Sequence, residues 1–275
     1  MIFQDYFQYF DIWDAVESGL YYAIVGFYFL IFAYFLLMRF RTSKKLYWFN
    51  FSLLFLFLAI GRVFFIVYNF YAPELDVTMS NLEFVGLMMM LYRFATFFTW
   101  MGIACLMGVF GTLTLSPITE NEKSETGLKK FLRQKNVKTM LKICLIVIPI
   151  VVGILALTLS DALFMDPDLR DYYVPSFQLI TVFGYPAGRF VLNIILLPLM
   201  VLVIPFLFVY LALKTFGVLR RSYALNAIGF FIYFSGRITQ GLLGGFPHVR
   251  AILPPLLILL SLLIIVIANN YEQLR

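Results

Sequence analysis

Of 275 residues, 62% are hydrophobic, 19% aromatic and only 13% charged, against roughly a quarter charged in an average soluble domain. This composition excludes an ordinary soluble enzyme or binding module and predicts an all-α polytopic membrane protein, with the cell membrane as its expected location. The net charge of +6 predicts no nucleic-acid partner, because the basic residues lie in short connections between apolar runs.

Residues 1–18 place Ile2, Phe3, Tyr6, Tyr9, Phe10, Trp13 and Val16 on one helical face, with Gln4, Gln8, Asp11 and Ser18 on the other. That pattern predicts an amphipathic segment in the outer interface. Asp5, Asp11, Asp14 and Glu17, with no Lys or Arg among them, are not the basic start of a cleaved signal. The first apolar run therefore reads as a retained transmembrane helix. A transmembrane domain, 19–275, holds seven runs of about 20 residues, each long enough to cross a bilayer. They fall at about 19–38, 47–70, 84–112, 139–160, 189–213, 223–246 and 250–270.

The loop 115–138 is basic and carries Leu128, Phe131 and Leu132 among lysines, a pattern for a short helix on anionic lipid or for a solvated loop. The segment 161–188, with DPDLRD followed by VPSFQLITVFGYPAG, is long for a connector and is expected to cap the outer face. Fifteen of the 21 basic residues flank one set of run ends, from Arg39 and Lys44 to Lys214 and Arg275. The opposite side holds Arg170, Arg189 and Arg250 with 11 of the 15 acidic residues. The excess of Lys and Arg on the cytoplasmic side then places the N-terminus outside and the C-terminus inside.

Residues Phe32 to Arg62 align with Phe208 to Arg237 with one gap. Aromatic identities are cheap in Phe-rich helices, but Asn50/Asn226, Gly61/Gly236 and Arg62/Arg237 also match. Both segments run in the same direction, so they predict a parallel three-one-three repeat with the fourth helix as linker.

Arg62, Arg93 and Arg237 stand inside apolar runs, where an arginine costs about 2.5–3.5 kcal/mol on insertion scales. Counting inward at 1.5 Å per residue puts Arg62 ~22 Å from the cytoplasmic end of its run, Arg237 ~21 Å, and Arg93 ~15 Å below the outer end of its own. All three fall in the outer half of a core ~30 Å thick, with Arg189 and Arg250 just above. Tyr92, Tyr233, Gln240 and Asn69 add polar groups at similar depth. Arg62, Arg93, Arg237, Arg189, Tyr92, Tyr233, Gln240 and Asn69 are therefore the candidate ligand-binding set. Their natural guest is an organic or phosphorylated anion, or a lipid headgroup, which the planar guanidinium grips through two parallel hydrogen bonds. The competing role for each arginine is structural: snorkelling, or pairing with Glu83, Asp76, Asp161 or backbone carbonyls.

Other chemistries fare worse. His248 is the sole histidine, so no histidine metal site or catalytic triad can be assembled. The run interiors contain no Asp, Glu or Lys, which argues against a proton relay and against a retinal Schiff base. Neither enzymatic activity nor a cofactor is expected. G-protein-coupled receptors, microbial rhodopsins and SWEET transporters share the seven-run, outside-N plan, but the motifs of none occur here. The third run ends in GVFGTLTLSP rather than an acidic-Arg-aromatic triplet. The leading expectation is a receptor-like membrane protein that binds an anion from outside. It would signal through its cytoplasmic loops to a protein partner, since no output domain follows Arg275. A transporter of a small organic anion is the alternative; a structural or lipid-binding subunit of a membrane complex is the third.

Overall fold

A computed structural model describes residues 10–76, 78–114, 135–166, 169, 178–243 and 246–270. Seven long helices dominate it: α1 (Ile12–Ser43), α2 (Leu46–Leu75), α3 (Asn81–Thr114), α4 (Lys135–Thr158), α5 (Ala187–Lys214), α6 (Gly217–Leu242) and α7 (Pro247–Asn270). Among the described residues six of them, all but α6, are long and apolar enough to cross a membrane. Arg220, Arg221, Asn226, Arg237 and Gln240 make α6 more polar than the other six.

Local chemistry explains where the helices begin and end. Asp11 caps α1: its Oδ1 accepts from the Trp13 and Asp14 amides at 2.7 and 2.8 Å, while Asp14 Oδ2 accepts from the Asp11 amide at 3.0 Å. This reciprocal arrangement satisfies amides that a helix start otherwise leaves open. Residues 12–18, expected in an interfacial segment, are thus the first turns of α1, and residues 1–9 of that segment lie outside the described residues. Lys44, at φ 54°, closes α1 in the left-handed conformation. Ser80 caps α3 through Glu83, whose Oε2 accepts from the Ser80 hydroxyl at 2.7 Å. The short amphipathic helix considered within 115–138 falls outside the described residues.

The long segment between α4 and α5 begins with one helical turn, Asp161–Phe164, and ends in a minimal hairpin, β1 (Thr181–Val182) with β2 (Tyr185–Pro186). Both turn residues, Phe183 and Gly184, have positive φ (52° and 82°). Two such residues match the right-handed twist of the flanking strands, and Gly184 adopts that conformation without steric cost.

The tightest helix pairs are α2 with α3 and α6 with α7, followed by α3 with α4 and then by α1 with α2 and α5 with α6; α1 also packs on α7. One buried stripe per helix drives this. On α1 it is Tyr21, Ile24, Tyr28, Ile31 and Phe35, spaced at three and four residues. Phe35 and Phe51 pack tilted at 5.1 Å, Phe51 and Phe55 edge to face at 5.4 Å, and Phe51 reaches Phe230 of α6 at 6.3 Å, tying α1 and α2 to α6. The opposite faces are equally apolar: α4 exposes Ile143, Val147, Ile148, Val151, Ile154 and Leu155. An apolar belt of this extent is a solvation mismatch in water and no cost in hydrocarbon. The chain is an integral membrane protein.

Candidate functional site

Six of the eight candidate residues fall into two polar clusters of the bundle. The first cluster is structural in geometry. Arg93 of α3 sends Nη1 to the carbonyls of Leu157 (2.8 Å) and Ala156 (3.2 Å), and Nη2 to the Leu159 carbonyl and to Asp161 Oδ1 (2.8 Å). It thereby caps the end of α4, whose last carbonyls have no partner within their own helix. Arg189 of α5 lies 3.6 Å from the ring of Tyr92; its Nε donates to the Phe164 carbonyl and its Nη1 to Asp166 Oδ2 at 2.7 Å. Asn193 donates to the Tyr92 hydroxyl at 2.8 Å, and Tyr68 to Asp166 at 3.4 Å. Together these contacts pin the Asp161–Phe164 turn to α3 and α5.

The second cluster surrounds a cavity lined by six helices, all but α4. Arg62 of α2 and Arg237 of α6 both line it, with Tyr233 of α6, Tyr28 of α1 and Thr99 of α3. Arg62 is only 5% exposed, and its guanidinium sits 4.5 Å from the ring centre of Tyr21. Among the described residues neither Arg62 nor Arg237 has a carboxylate within 4.0 Å, in contrast to Arg93 and Arg189. Glu17 interacts with Arg62 only at longer range. The Tyr28 and Tyr233 hydroxyls are 3.0 Å apart. One donates to the other, so the accepting hydroxyl keeps a hydrogen to offer a guest. The cavity gives ≈ 70 Å³ to the centres of water-sized molecules, room for roughly five waters or for a narrow guest.

The helices are arranged so that each arginine can face inward. Gly61, preceding Arg62, packs on α3: a Cβ there would stand 3.2 Å from the Ala95 carbonyl and 3.4 Å from Phe98 Cβ. Gly236, preceding Arg237, packs on α7 in the same way, 3.1 Å from the Pro254 carbonyl and from Ile258. In both halves the glycine brings two backbones together, and the next residue, about 100° around the helix, lines the cavity.

Of the eight candidates, the structure brings Arg62, Arg237 and Tyr233 to the cavity. Arg93, Arg189 and Tyr92 join the capping network, Asn69 is exposed, and Gln240 is half-buried at the end of α6. Tyr28 and Thr99 were not among the candidates. Both belong to runs whose rotation the sequence does not reveal, and a tyrosine among seventeen carries no local signal. Comparisons with protein-family models, curated proteins and solved structures return no match to this chain.

Proposed function

We propose that the protein is a receptor-like, seven-helix membrane protein, N-terminus outside, that holds an organic anion between Arg62 and Arg237. The observation that carries this reading is the presence of two arginines on one cavity, neither with an adjacent carboxylate among the described residues. A guanidinium without a paired carboxylate is costly in a low-dielectric interior, a cost that the Tyr21 ring and the more distant Glu17 offset only in part for Arg62, and an anion bridging both guanidiniums lowers it for each. The seventh crossing is α6: its 26 residues span ~39 Å, and its polar Asn226 is buried rather than lipid-facing. Cytoplasmic loops then pass the bound state to a protein partner.

Native mass spectrometry of the purified protein tests the reading. The wild type should carry a small anion that is absent from Arg62→Gln and Arg237→Gln and retained by Arg93→Gln. Identical adducts in all four proteins would remove the site. The second reading, a transporter of a small organic anion, is favoured by the Gly61/Gly236 equivalence, since parallel halves around a central site are a transporter plan. Arg62-dependent flux of the identified anion into liposomes selects it over the receptor.

A further inference from the structure

The cavity is not uniform along its length, and cross-helix contacts give each wall residue a level. Gly61 meets Ala95 and Thr99, which sets Arg62 level with Thr99. Gly102 meets Leu54 and Leu58, which sets Leu54 level with Ile103. On the other half Gly236 meets Pro254 and Ile258, while Gly229 meets Ser261 and Ile265, so Phe230 lies level with Ile265 and well below Arg237. Phe230 is also within 6.3 Å of Phe51, ring centre to ring centre. The arginine end is therefore polar, the Tyr28–Tyr233 pair lies between, and the far end is walled by Leu54, Ile103, Leu106, Phe230, Leu262 and Ile265.

Resting on the anion-site reading, we propose that the guest is an amphiphile: one anionic head held by Arg62 and Arg237, and one unbranched apolar tail running toward Leu54 and Phe230. A compact polar anion such as phosphate or succinate leaves the apolar end either empty or wet, and both are unfavourable. An apolar tail fills it and gains about fourfold in affinity per buried methylene. The tail length follows from the geometry. Leu54 and Arg62 are eight residues apart, ~12 Å along the helix. An extended chain advances ~3.5 Å for every three bonds, so this chamber takes an alkyl chain of roughly ten bonds. The small volume, ≈ 70 Å³ for water-sized centres, leaves room for no more than one such chain. The head and tail chemistry is shared by water-borne medium-chain carboxylates and by membrane-derived fatty acids.

The test is thermal stability of the protein in neutral-lipid nanodiscs with acetate, butanoate, octanoate, decanoate, palmitate, phosphate and octanol. Stabilisation should rise from butanoate to decanoate, with at least a tenfold gain in apparent affinity between butanoate and octanoate. Phosphate and acetate should give none, and octanol should fall well below octanoate. A decline at palmitate matches the ten-bond chamber and assigns a water-borne guest; a rise continuing through palmitate overturns that chamber length and assigns a membrane-derived amphiphile whose tail leaves the cavity. Leu106→Phe, which narrows the apolar end and leaves the arginines in place, should weaken decanoate more than butanoate. Should that variant unfold, Ile103→Val, which widens the same end, should reduce the decanoate preference instead. Equal stabilisation by phosphate, or an affinity flat with chain length yet dependent on Arg62, overturns the amphiphile and leaves the anion site standing. Stabilisation that survives in both Arg62→Gln and Arg237→Gln overturns the anion site itself.

Discussion

Four intramembrane or near-membrane arginines meet two opposite fates, and the difference lies in what each touches. Arg93 and Arg189 each hold a carboxylate and backbone carbonyls. Replacing either with Gln strands those groups, and the expected loss is ~2–3 kcal/mol of stability, measured by denaturation in detergent. Arg62→Gln and Arg237→Gln strand no adjacent carboxylate among the described residues, so the ligand-free protein should be unchanged or stabilised, by up to ~2.5 kcal/mol on insertion scales. A large loss at Arg62 or Arg237 would assign them to the scaffold. The sequence showed that all four needed an explanation, because charge inside an apolar run is visible without coordinates. It did not show which had partners. That depends on where Asp161 and Asp166 land against Arg93 of α3 and Arg189 of α5, a tertiary fact with no local signature.

At the scale of elements, glycine placement decides how closely helices approach. A methyl at Gly61 or Gly236 would press on a neighbouring backbone carbonyl at 3.2 or 3.1 Å, and neither main chain yields as a side chain tip does. Gly61→Ala and Gly236→Ala should each cost ~1–3 kcal/mol, the usual range for overpacking. Gly26 of α1 has nothing within 4 Å of a built Cβ, so Gly26→Ala should stabilise by ~0.5–1 kcal/mol through helix propensity alone. Melting temperatures of the three variants check the ordering, and a destabilised Gly26→Ala with a neutral Gly61→Ala would contradict this packing. Six of the seven helices were legible as apolar runs long enough to cross a bilayer, and the more polar α6 as a run of similar length. Their ends were less so: α1 starts at Ile12 rather than near residue 19, since the Asp11–Asp14 cap extends the helix over residues that composition alone assigns to the interface. Helix rotation was legible only where the Gly-Arg pair marks a tight face next to a charged one.

For the whole molecule, the proposed orientation predicts that protease sites introduced at Glu120 to Lys130 and at the C-terminus are cut only from the cytoplasmic side, and a site at Asp166 only from outside. The basis is the segregation of basic residues in the connections; cutting at Asp166 from the cytoplasm would invert the bundle. The depth of Arg62 then has an electrical consequence. Arg62 lies 16 residues from Leu46, ~24 Å along α2, which leaves roughly one-fifth of a ~30 Å core between it and the outer surface. An anion entering from outside to reach it crosses that fraction of the transmembrane potential, worth ~0.5 kcal/mol per 100 mV. Because the interior of a resting cell is negative, the potential opposes entry, and affinity should change about twofold for each 100 mV. With the proposed orientation and an anionic guest, Arg62 and Arg237 would couple occupancy of the cavity to the energised state of the membrane, and the guest would be held most tightly where the potential has collapsed.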